Sequence, residues 1–290
     1  MIWQQLLNGL VLGLGYSLVA LGFSMIFGVL RVINFAHGNV YMIGALAGLS
    51  AARFCGGNFY VCILAGMVSG AVLGLVLERL VFRPVRHMEP LAGLLTSTGA
   101  LFILGILGLL IWGASPTSYD LKIPDQVWQL GPVTIYAMQL FMLGAAIIVM
   151  FLLWLIVDKT YIGIAMRAVA HSTTTAQLMG IDVNGVTRFT LAVSSALAGL
   201  AGVLVSAYYG VVSSSVGFNA GIKAFTAAVI GGIGSIPGSF LGGILLGFAE
   251  GFGSGYLSSG YRDAIAFSIL VLVLLIKPTG LFGQTTSQKM

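Results

Sequence analysis

Three polar side chains stand within six residues of an otherwise apolar stretch. Asn34, His37 and Asn39, with Gly38 between the last two, form the run NFAHGN just after Arg31. Amide and imidazole groups can hydrogen-bond a polar solute, and polar groups inside a membrane usually face the interior of a helix bundle. Two interpretations remain open: these side chains line a solute path, or they cap a helix end at the membrane surface.

A second set of candidate substrate-path residues, Gly234, Ser235 and Glu250, lies in the C-terminal half. Gly234 and Ser235 belong to the run VIGGIGSIPGSFLGG, and Glu250 follows a charge-free run that begins at residue 224. Gly and Pro at this density favour a broken helix, which at membrane depth persists only where protein or a wet cavity covers it. Gly251, with the glycines that follow it, indicates a loop, so an interfacial carboxylate at position 250 is favoured over an intramembrane one.

The composition identifies the environment of these residues. Of 290 residues, 58% are hydrophobic and only 7% are charged, whereas a soluble domain carries about 25% charged residues. Six runs without Asp, Glu, Lys or Arg exceed the roughly 20 residues that a helix needs to cross hydrocarbon. These runs cover residues 1–30, 54–77, 91–112, 135–157, 189–210 and 224–249.

The predicted fold is therefore all-α: a polytopic membrane helical bundle of about eight transmembrane helices with broken or re-entrant segments. One transmembrane domain over residues 1–290 is expected, with firm spans in five of the runs and a last span near residues 257–276. The stretch 40–52 is short for a crossing, and 229–243 is predicted to be broken. A pair of interrupted segments, one in each half of a chain, is typical of a transporter's substrate path.

Basic residues predict which side of the membrane each loop faces. They concentrate in segments 78–90 and 158–188 and recur at Lys277, while the loop 113–134 contains a single lysine. The positive-inside rule places the first three in the cytoplasm and the last outside. No dense Lys/Arg patch is present, so nucleic acid is not an expected partner.

Glycines recur at four-residue spacing in three segments: at 9 and 13, at 66, 70 and 74, and at 243, 247 and 251. Such spacing lines one face of a helix and permits close backbone contact in lipid. The pattern predicts tight helix packing, either within the chain or between subunits.

The cytoplasmic segment 158–188 has the pattern of short amphipathic helices punctuated by Gly163 and Gly180. A helix outside the membrane with one apolar face is typical of docking into a partner's groove. Catalytic signatures such as a phosphate-binding loop or a zinc-binding HExxH are absent from the sequence, so we expect a protein that is not an enzyme and binds no cofactor.

Four runs together resemble the membrane permease subunits of branched-chain amino acid ABC importers, in particular the first of the two permeases. They are GYSLVALGFSMIFGVLRVINFAHGNVYMIGA (15–45), ERLVFRPVR (78–86), RAVAHSTTTAQLMGI (167–181) and KAFTAAVIGGIGSIPGSFLGGILLGFAE (223–250). The resemblance implies an inner-membrane protein with a second permease subunit, two cytoplasmic ATPases that use ATP, and an external solute-binding protein.

The resemblance also assigns roles to residues. The coupling segment that docks on the ATPases would include Gly163, Arg167, Ala168, Leu178 and Gly180. Branched-chain amino acids are the implied substrate, and urea, short amides or aromatic acids are the alternative within the wider family. Two other hypotheses stay open from the residues alone: an ion-coupled secondary transporter that acts without an ATPase, and a scaffold whose partner alone transports.

Overall fold

The protein is described here by a computed structural model that covers residues 2–86, 88–119, 121, 126–130, 133–256 and 258–283. Part of the predicted outer loop, including residues 122–125, therefore lies outside the described residues. In the remainder of the chain, six helices are long and apolar enough to cross a membrane. Together with three shorter helices of the same bundle, they confirm the predicted polytopic architecture.

The helices follow one another through the chain with few interruptions. Those of the bundle are α1 (Ile2–Leu30), α2 (His37–Phe54), α3 (Phe59–Leu77), α5 (Pro90–Trp112), α6 (Ala137–Lys159), α9 (Val183–Tyr209), α10 (Val216–Gly231), α11 (Ile236–Tyr256) and α12 (Arg262–Ile276). Three short ones lie outside it: α4 (Arg83–Val85), α7 (Tyr161–His171) and α8 (Thr173–Leu178). A π-helical turn, Glu78–Phe82, joins α3 to α4.

Short polar side chains begin several of these helices. Each accepts a hydrogen bond from a backbone N–H of the first turn, which satisfies a donor that the helix itself leaves unpaired. The capping residues are Asn58 for α3, Thr160 for α7, Ser172 for α8 and Asp182 for α9. Local sequence thus defines the start of α3 and of every helix from the cytoplasmic segment into α9.

Both predicted helix breaks are present. Residues 31–36 separate α1 from α2, and Arg31 adopts a left-handed φ of 56°. Residues 232–235 separate α10 from α11, with Gly232 and Gly234 at positive φ. The prediction was incomplete for α11, which is a full 21-residue helix beyond the break. Pro237 lies in its first turn, where the missing N–H costs no helical hydrogen bond.

The glycine faces pack helices within the chain. A Cβ added to Gly13 would lie 2.7 Å from the Ile244 Cα, so α1 and α11 touch through their backbones. A Cβ on Gly70 of α3 would lie 2.2 Å from the Ser195 carbonyl oxygen of α9. All three runs of small residues predicted from the sequence are therefore internal helix contacts, which resolves the choice that the sequence left open.

Two small antiparallel sheets mark the end of the bundle predicted to face outside. Strand β1 (Thr117–Ser118) pairs with β4 (Val211–Val212), and β2 (Val127–Leu130) forms a hairpin with β3 (Val133–Tyr136). The Tyr119 hydroxyl donates to the Ala45 carbonyl at 3.2 Å. Burial raises the pKa of Tyr119, which keeps this phenol protonated as a donor. The basic segments lie at the opposite end, as the positive-inside rule predicts.

Candidate functional site

The first break places its polar side chains in the interior of the bundle. Asn34 and His37 are fully buried, and Asn39 is 4% exposed. The Asn34 Oδ1 accepts from the Ala36 N–H at 3.1 Å, which fixes the turn before α2. The Asn39 Nδ2 donates to the Leu101 carbonyl of α5 at 2.5 Å. Both asparagines thus support the broken backbone, while the Asn34 Nδ2 makes no hydrogen bond with the described residues.

His37 lies in a notch of α1. A Cβ on Gly22 would come within 2.6 Å of the His37 Nε2, so only glycine at this position leaves room for the ring. The Phe23 ring packs edge-on against the imidazole with a centroid distance of 4.8 Å. Neither ring nitrogen has good hydrogen-bond geometry to a described partner, although the Val19 carbonyl of α1 lies close to the ring. A buried polar atom without a good partner is costly, so the ring would gain from a polar group that reaches it.

Gly38 forms the crossing between α2 and α10. A Cβ at this position would lie 2.2 Å from the Gly217 carbonyl oxygen and 2.6 Å from the Gly221 Cα. Gly217 in turn contacts the Asn39 Oδ1. Gly38 therefore brings the start of α10 against the polar run, which is a packing role that the residue type alone could not have located.

The second break contacts the same part of α1 as the first. The Gly234 N–H donates to the Ser24 Oγ at 3.0 Å, and Gly234 also packs against Gly28. The Ser235 Oγ accepts from the Gly238 N–H at 3.2 Å and so caps the start of α11. Because His37 packs at Gly22, the two breaks meet along one stretch of α1, residues 22–28.

Glu250 belongs to a separate site. It lies inside α11 and is fully buried, so the expectation that the glycines after it form a loop is wrong. Those glycines are helical because small residues are needed for contact: Gly251 packs on the Gly9 backbone of α1. The interfacial interpretation of Glu250 is therefore replaced by a position within the bundle.

Glu250 is the centre of a charge cluster that joins four helices. Its Oε2 accepts from the Tyr16 hydroxyl at 2.7 Å and from the Lys223 Nζ at 3.0 Å. The same Lys223 Nζ lies 2.9 Å from the Asp263 Oδ1 of α12. Pairing and hydrogen bonding compensate the cost of burying these charges. Glu250 thus ties α11 to α1, α10 and α12.

Sequence reasoning missed Tyr16 and Lys223, and one signal was available for the lysine. Lys223 and Glu250 are the two charged residues that bracket the charge-free run 224–249. Two opposite charges at the ends of such a run are candidates for a pair when the helix breaks between them and turns back. Tyr16 carried no comparable signal, because a tyrosine in an apolar helix is common.

The cytoplasmic segment forms α7 and α8, as predicted. Gly163 is buried, and only glycine fits at this position, because an added Cβ would lie 2.1 Å from the Val157 carbonyl oxygen. Arg167 lies 3.6 Å from Asp158, and its guanidinium donates to the Val157 carbonyl. Ala168 is half-buried against the core. These three residues therefore hold α7 against the end of α6.

Other residues of this segment project away from the protein. Leu178 is 83% exposed and Met179 is 78% exposed, and Gly180 follows with a positive φ of 81° that turns the chain back toward α9. Two large apolar side chains side by side at an exposed turn are typical of a contact surface. We call Leu178 and Met179 the apolar tip.

A buried ion pair braces the base of this segment and was not foreseen. Glu78 is 1% exposed and lies 3.0 Å from the Arg86 Nη2 and 3.8 Å from the Arg188 Nε. The Arg86 Nη1 donates to the Asn184 Oδ1 at 2.6 Å. These contacts connect the π-helical turn after α3 to the start of α9, next to α7 and α8.

Six long apolar helices, two helix breaks against α1 and an exposed turn before α9 describe a multi-pass membrane protein, and its similarity to known proteins places it among transport permeases. The family described as "Branched-chain amino acid transport system / permease component" matches residues 5–276. The chain therefore belongs to this family, and the resemblance first drawn from four sequence runs is confirmed.

The most informative relatives match along nearly the full length. The high-affinity branched-chain amino acid transport system permease protein LivH of Escherichia coli K12 is 37% identical over 99% of this chain and 97% of its own length. BraD of Pseudomonas aeruginosa, described in the same words, is also 37% identical over 99% of this chain. The solved structure of PsaBC from Streptococcus pneumoniae in complex with Fab shares the fold, with a TM-score of 0.50 and 15% identity over 94% of this chain and 91% of its own.

Proposed function

We propose that this chain is a transmembrane permease subunit of an ATP-driven importer, which moves branched-chain or related hydrophobic amino acids inward across the inner membrane. The observation that carries the proposal is the end-to-end similarity to LivH and BraD, whose names specify branched-chain amino acid transport. The whole residue range 1–290 then serves as one transmembrane permease domain, with residues 158–188 as its cytoplasmic coupling loop.

The coupling loop is supported by its shape. Gly163, Arg167 and Ala168 hold α7 on the bundle, Gly180 sets the turn, and Leu178 is presented to a partner. An apolar tip on a rigid base can enter a hydrophobic groove of an ATPase and transmit its movement to α9. In this proposal ATP is used by two cytoplasmic ATPase subunits, since the sequence contains no phosphate-binding loop motif.

The substrate path is proposed to run past the two helix breaks, lined by Asn34, His37, Gly38 and Asn39 from the first and by Gly234 and Ser235 from the second. Neutral polar groups suit an amino acid, whose zwitterion has no net charge. Unpaired atoms of Asn34 and His37 can exchange hydrogen bonds with a passing solute. Glu250 acts on the path from a distance, by holding α10 and α11 in place.

The complete transporter would contain a second permease subunit beside this one, the two ATPases and an external solute-binding protein, with lipid around the bundle. Helices α3, α5 and α6 offer the exposed apolar surface for lipid or for the second permease. Only about a quarter of each of these three spans is buried within the chain, against about three quarters of α1 and α9. Selectivity would reside mainly in the binding protein, because a tight site within the membrane would slow release.

The substrate class is tested by competition. The assembled complex is reconstituted in vesicles, and unlabelled leucine, isoleucine, valine, urea, acetamide and phenylalanine are added against radiolabelled leucine. We expect the branched-chain amino acids to compete and urea to have no effect. Competition by urea, amides or aromatic acids alone would assign the chain to the alternative branch, and uptake without any ATPase would favour an ion-coupled transporter.

Leu178→Asp is expected to abolish substrate-stimulated ATP hydrolysis, because a carboxylate at the apolar tip cannot enter a hydrophobic groove without losing its hydration. The membrane fold should be unchanged, since the side chain is 83% exposed. ATP hydrolysis is measured in vesicles with saturating binding protein and leucine. Phe54→Asp is the matched control. Phe54 is 90% exposed at the end of α2 and lies at the opposite end of the bundle from the coupling loop, so this variant should retain stimulation. Equal stimulation in both variants would show that the apolar tip takes no part in coupling.

Asn34→Ala combined with His37→Ala is expected to reduce uptake at least about tenfold, the effect of losing roughly 1.4 kcal/mol of hydrogen bonding to the solute. The measurement is the initial rate of leucine uptake, with basal ATP hydrolysis as evidence of assembly. Thr226→Ala, a fully buried hydroxyl that bonds its own helix at Ile222, is the control. Unchanged uptake in the double variant would favour a scaffold role for this chain.

A further inference from the structure

A cavity lies at the end of the bundle that carries the coupling loop, away from the buried polar run. It occupies about 150 Å³ between the first helix break, the connection from α3 to α5, and the coupling loop. Its apolar wall includes Val32, Phe82, Val169 and Val183. A cavity of this volume that opens to solvent has room for a small solute.

Two opposite charges line this cavity, Arg31 and Glu89. Both side chains are exposed, and neither has an ion-pair or hydrogen-bond partner among the residues that the structure describes, so each is hydrated until a ligand replaces the water. The third charged residue on the wall, Arg86, is already bound to Glu78 and Asn184. A guanidinium recognises a carboxylate, and a carboxylate recognises an ammonium group, so the pair matches the two ends of a zwitterion.

Arg31 is the residue that ends α1. It is the one non-glycine residue with a positive φ in the described part of the chain, and its N–H donates to the Phe27 carbonyl at 2.9 Å. A left-handed residue with this hydrogen bond is a common C-terminal cap of a helix. The cap places the guanidinium on the cavity wall.

We propose that this cavity binds the transported amino acid from the cytoplasmic side and that the bound molecule inhibits further import. The inference rests on the function proposed above, which supplies the class of ligand. Arg31 binds the carboxylate, Glu89 binds the ammonium group, and the valine and phenylalanine side chains enclose a branched aliphatic side chain. The site lies at the cytoplasmic end of the first helix break, and its wall contains none of the residues that we propose to line the path.

Inhibition follows from the parts that the cavity joins. Arg31 and Val32 belong to the helix break, Phe82 and Glu89 to the connection from α3 to α5, and Val169 to α7. A ligand that contacts all three walls stabilises their present arrangement. The bound ligand therefore opposes any movement of α7 that the ATPases impose. The size of this effect is set by how much more tightly the ligand binds the present arrangement than the moved one.

The test uses the complete transporter in vesicles that enclose ATP and rising concentrations of unlabelled L-leucine, with labelled leucine and binding protein outside. We expect the initial uptake rate of the native complex to fall as enclosed leucine rises. Arg31→Gln and Glu89→Gln should each raise the half-inhibitory concentration at least about tenfold, because each removes one charged contact to the ligand. Uptake without enclosed leucine should stay near the native rate.

Arg53→Gln is the matched control, since this exposed arginine lies at the opposite end of α2 and should leave inhibition unchanged. Identical half-inhibitory concentrations in the native and Arg31→Gln complexes, or no inhibition by enclosed leucine, would overturn the proposal. Failure of the proposed function gives a different result, namely no ATP-dependent uptake of labelled leucine even when none is enclosed.

A second readout does not depend on transport. Val32→Cys is introduced after Cys55→Ser and Cys62→Ala remove the two native cysteines, and a small thiol reagent is applied from the cytoplasmic side. L-Leucine should slow the labelling, and the added Arg31→Gln change should abolish this protection. A different result would overturn the amino acid site. If leucine does not change the labelling rate, and labelling becomes faster when phosphatidylethanolamine is replaced by phosphatidylcholine, the cavity binds a lipid headgroup instead.

Discussion

Gly199→Ala is expected to destabilise the protein strongly, although it adds a single methyl group. The new Cβ would lie 2.0 Å from the Gly66 carbonyl oxygen, far inside van der Waals contact. Gly44 packs on the same residue, since its own Cβ would lie 2.3 Å from the Gly199 Cα. Helices α2, α3 and α9 thus meet at three glycines, and any side chain there must separate their backbones.

The loss should be at the upper end of the range for overpacked cores, about 3 kcal/mol or more, because backbone atoms rather than flexible side chains must move. The measurement is the thermal midpoint for retention of the monodisperse protein in detergent. Gly144→Ala in α6 is the matched control, since nothing lies within 4 Å of its added Cβ. This control should be neutral or stabilise by up to about 1 kcal/mol through helix propensity. Equal midpoints in the two variants would contradict the three-glycine contact.

Lys223→Met is expected to destabilise the protein by about 3–5 kcal/mol, the usual effect of removing one partner of a buried ion pair. Glu250 would then remain fully buried with Tyr16 as its only described hydrogen-bond donor. Uptake should fall with stability, because the cluster holds α10 and α11 on either side of the second helix break. Thermal midpoints and the uptake rate of the same preparations measure both effects.

The other variants of the cluster should follow a definite order. Glu250→Gln should be milder than Lys223→Met, because Lys223 keeps the carboxylate of Asp263 at 2.9 Å. Asp263→Asn should cost less than about 1 kcal/mol, since Asp263 is 57% exposed and surface pairs contribute little. Combining Lys223→Met with Glu250→Gln should recover most of the loss. A Lys223→Met protein as stable as the native one would show that the ion pair does not contribute to stability.

The sequence predicted the features that depend on local composition. Apolar runs predicted the spans, because their length is set by the thickness of hydrocarbon, and glycine spacing predicted the helix faces that pack. Glycine density predicted the break at residues 232–235. The extent of α11 was not predicted, because glycines inside a membrane helix can serve packing as well as interruption. Whether Gly251 packs or interrupts a helix depends on the residue that it contacts. That residue is Gly9, which lies about 240 positions away and could not be identified from the local sequence.

The candidate site was predicted only in part for a similar reason. Burial of Asn34, His37 and Asn39 was one of the two interpretations that the sequence left open. The notch at Gly22 that accepts His37 could not be predicted, because it depends on how α2 crosses α1. The charge cluster needed the knowledge that α10 and α11 turn back on each other and bring position 223 to position 250. The brace between Glu78 and Arg86 depends on the π-helical turn, which the residue types did not indicate.

The short segment after α12 completes the end of α10. Leu281 and Phe282 donate their N–H groups to the Ile230 and Gly231 carbonyls at 2.9 and 3.0 Å, and these acceptors face the second break. A purification tag that replaces the chain after Ile276 would remove both donors and leave two helix-end carbonyls unpaired beside Gly234. Tags and fluorescent fusions for this permease therefore belong after Gly283, where both bonds are retained.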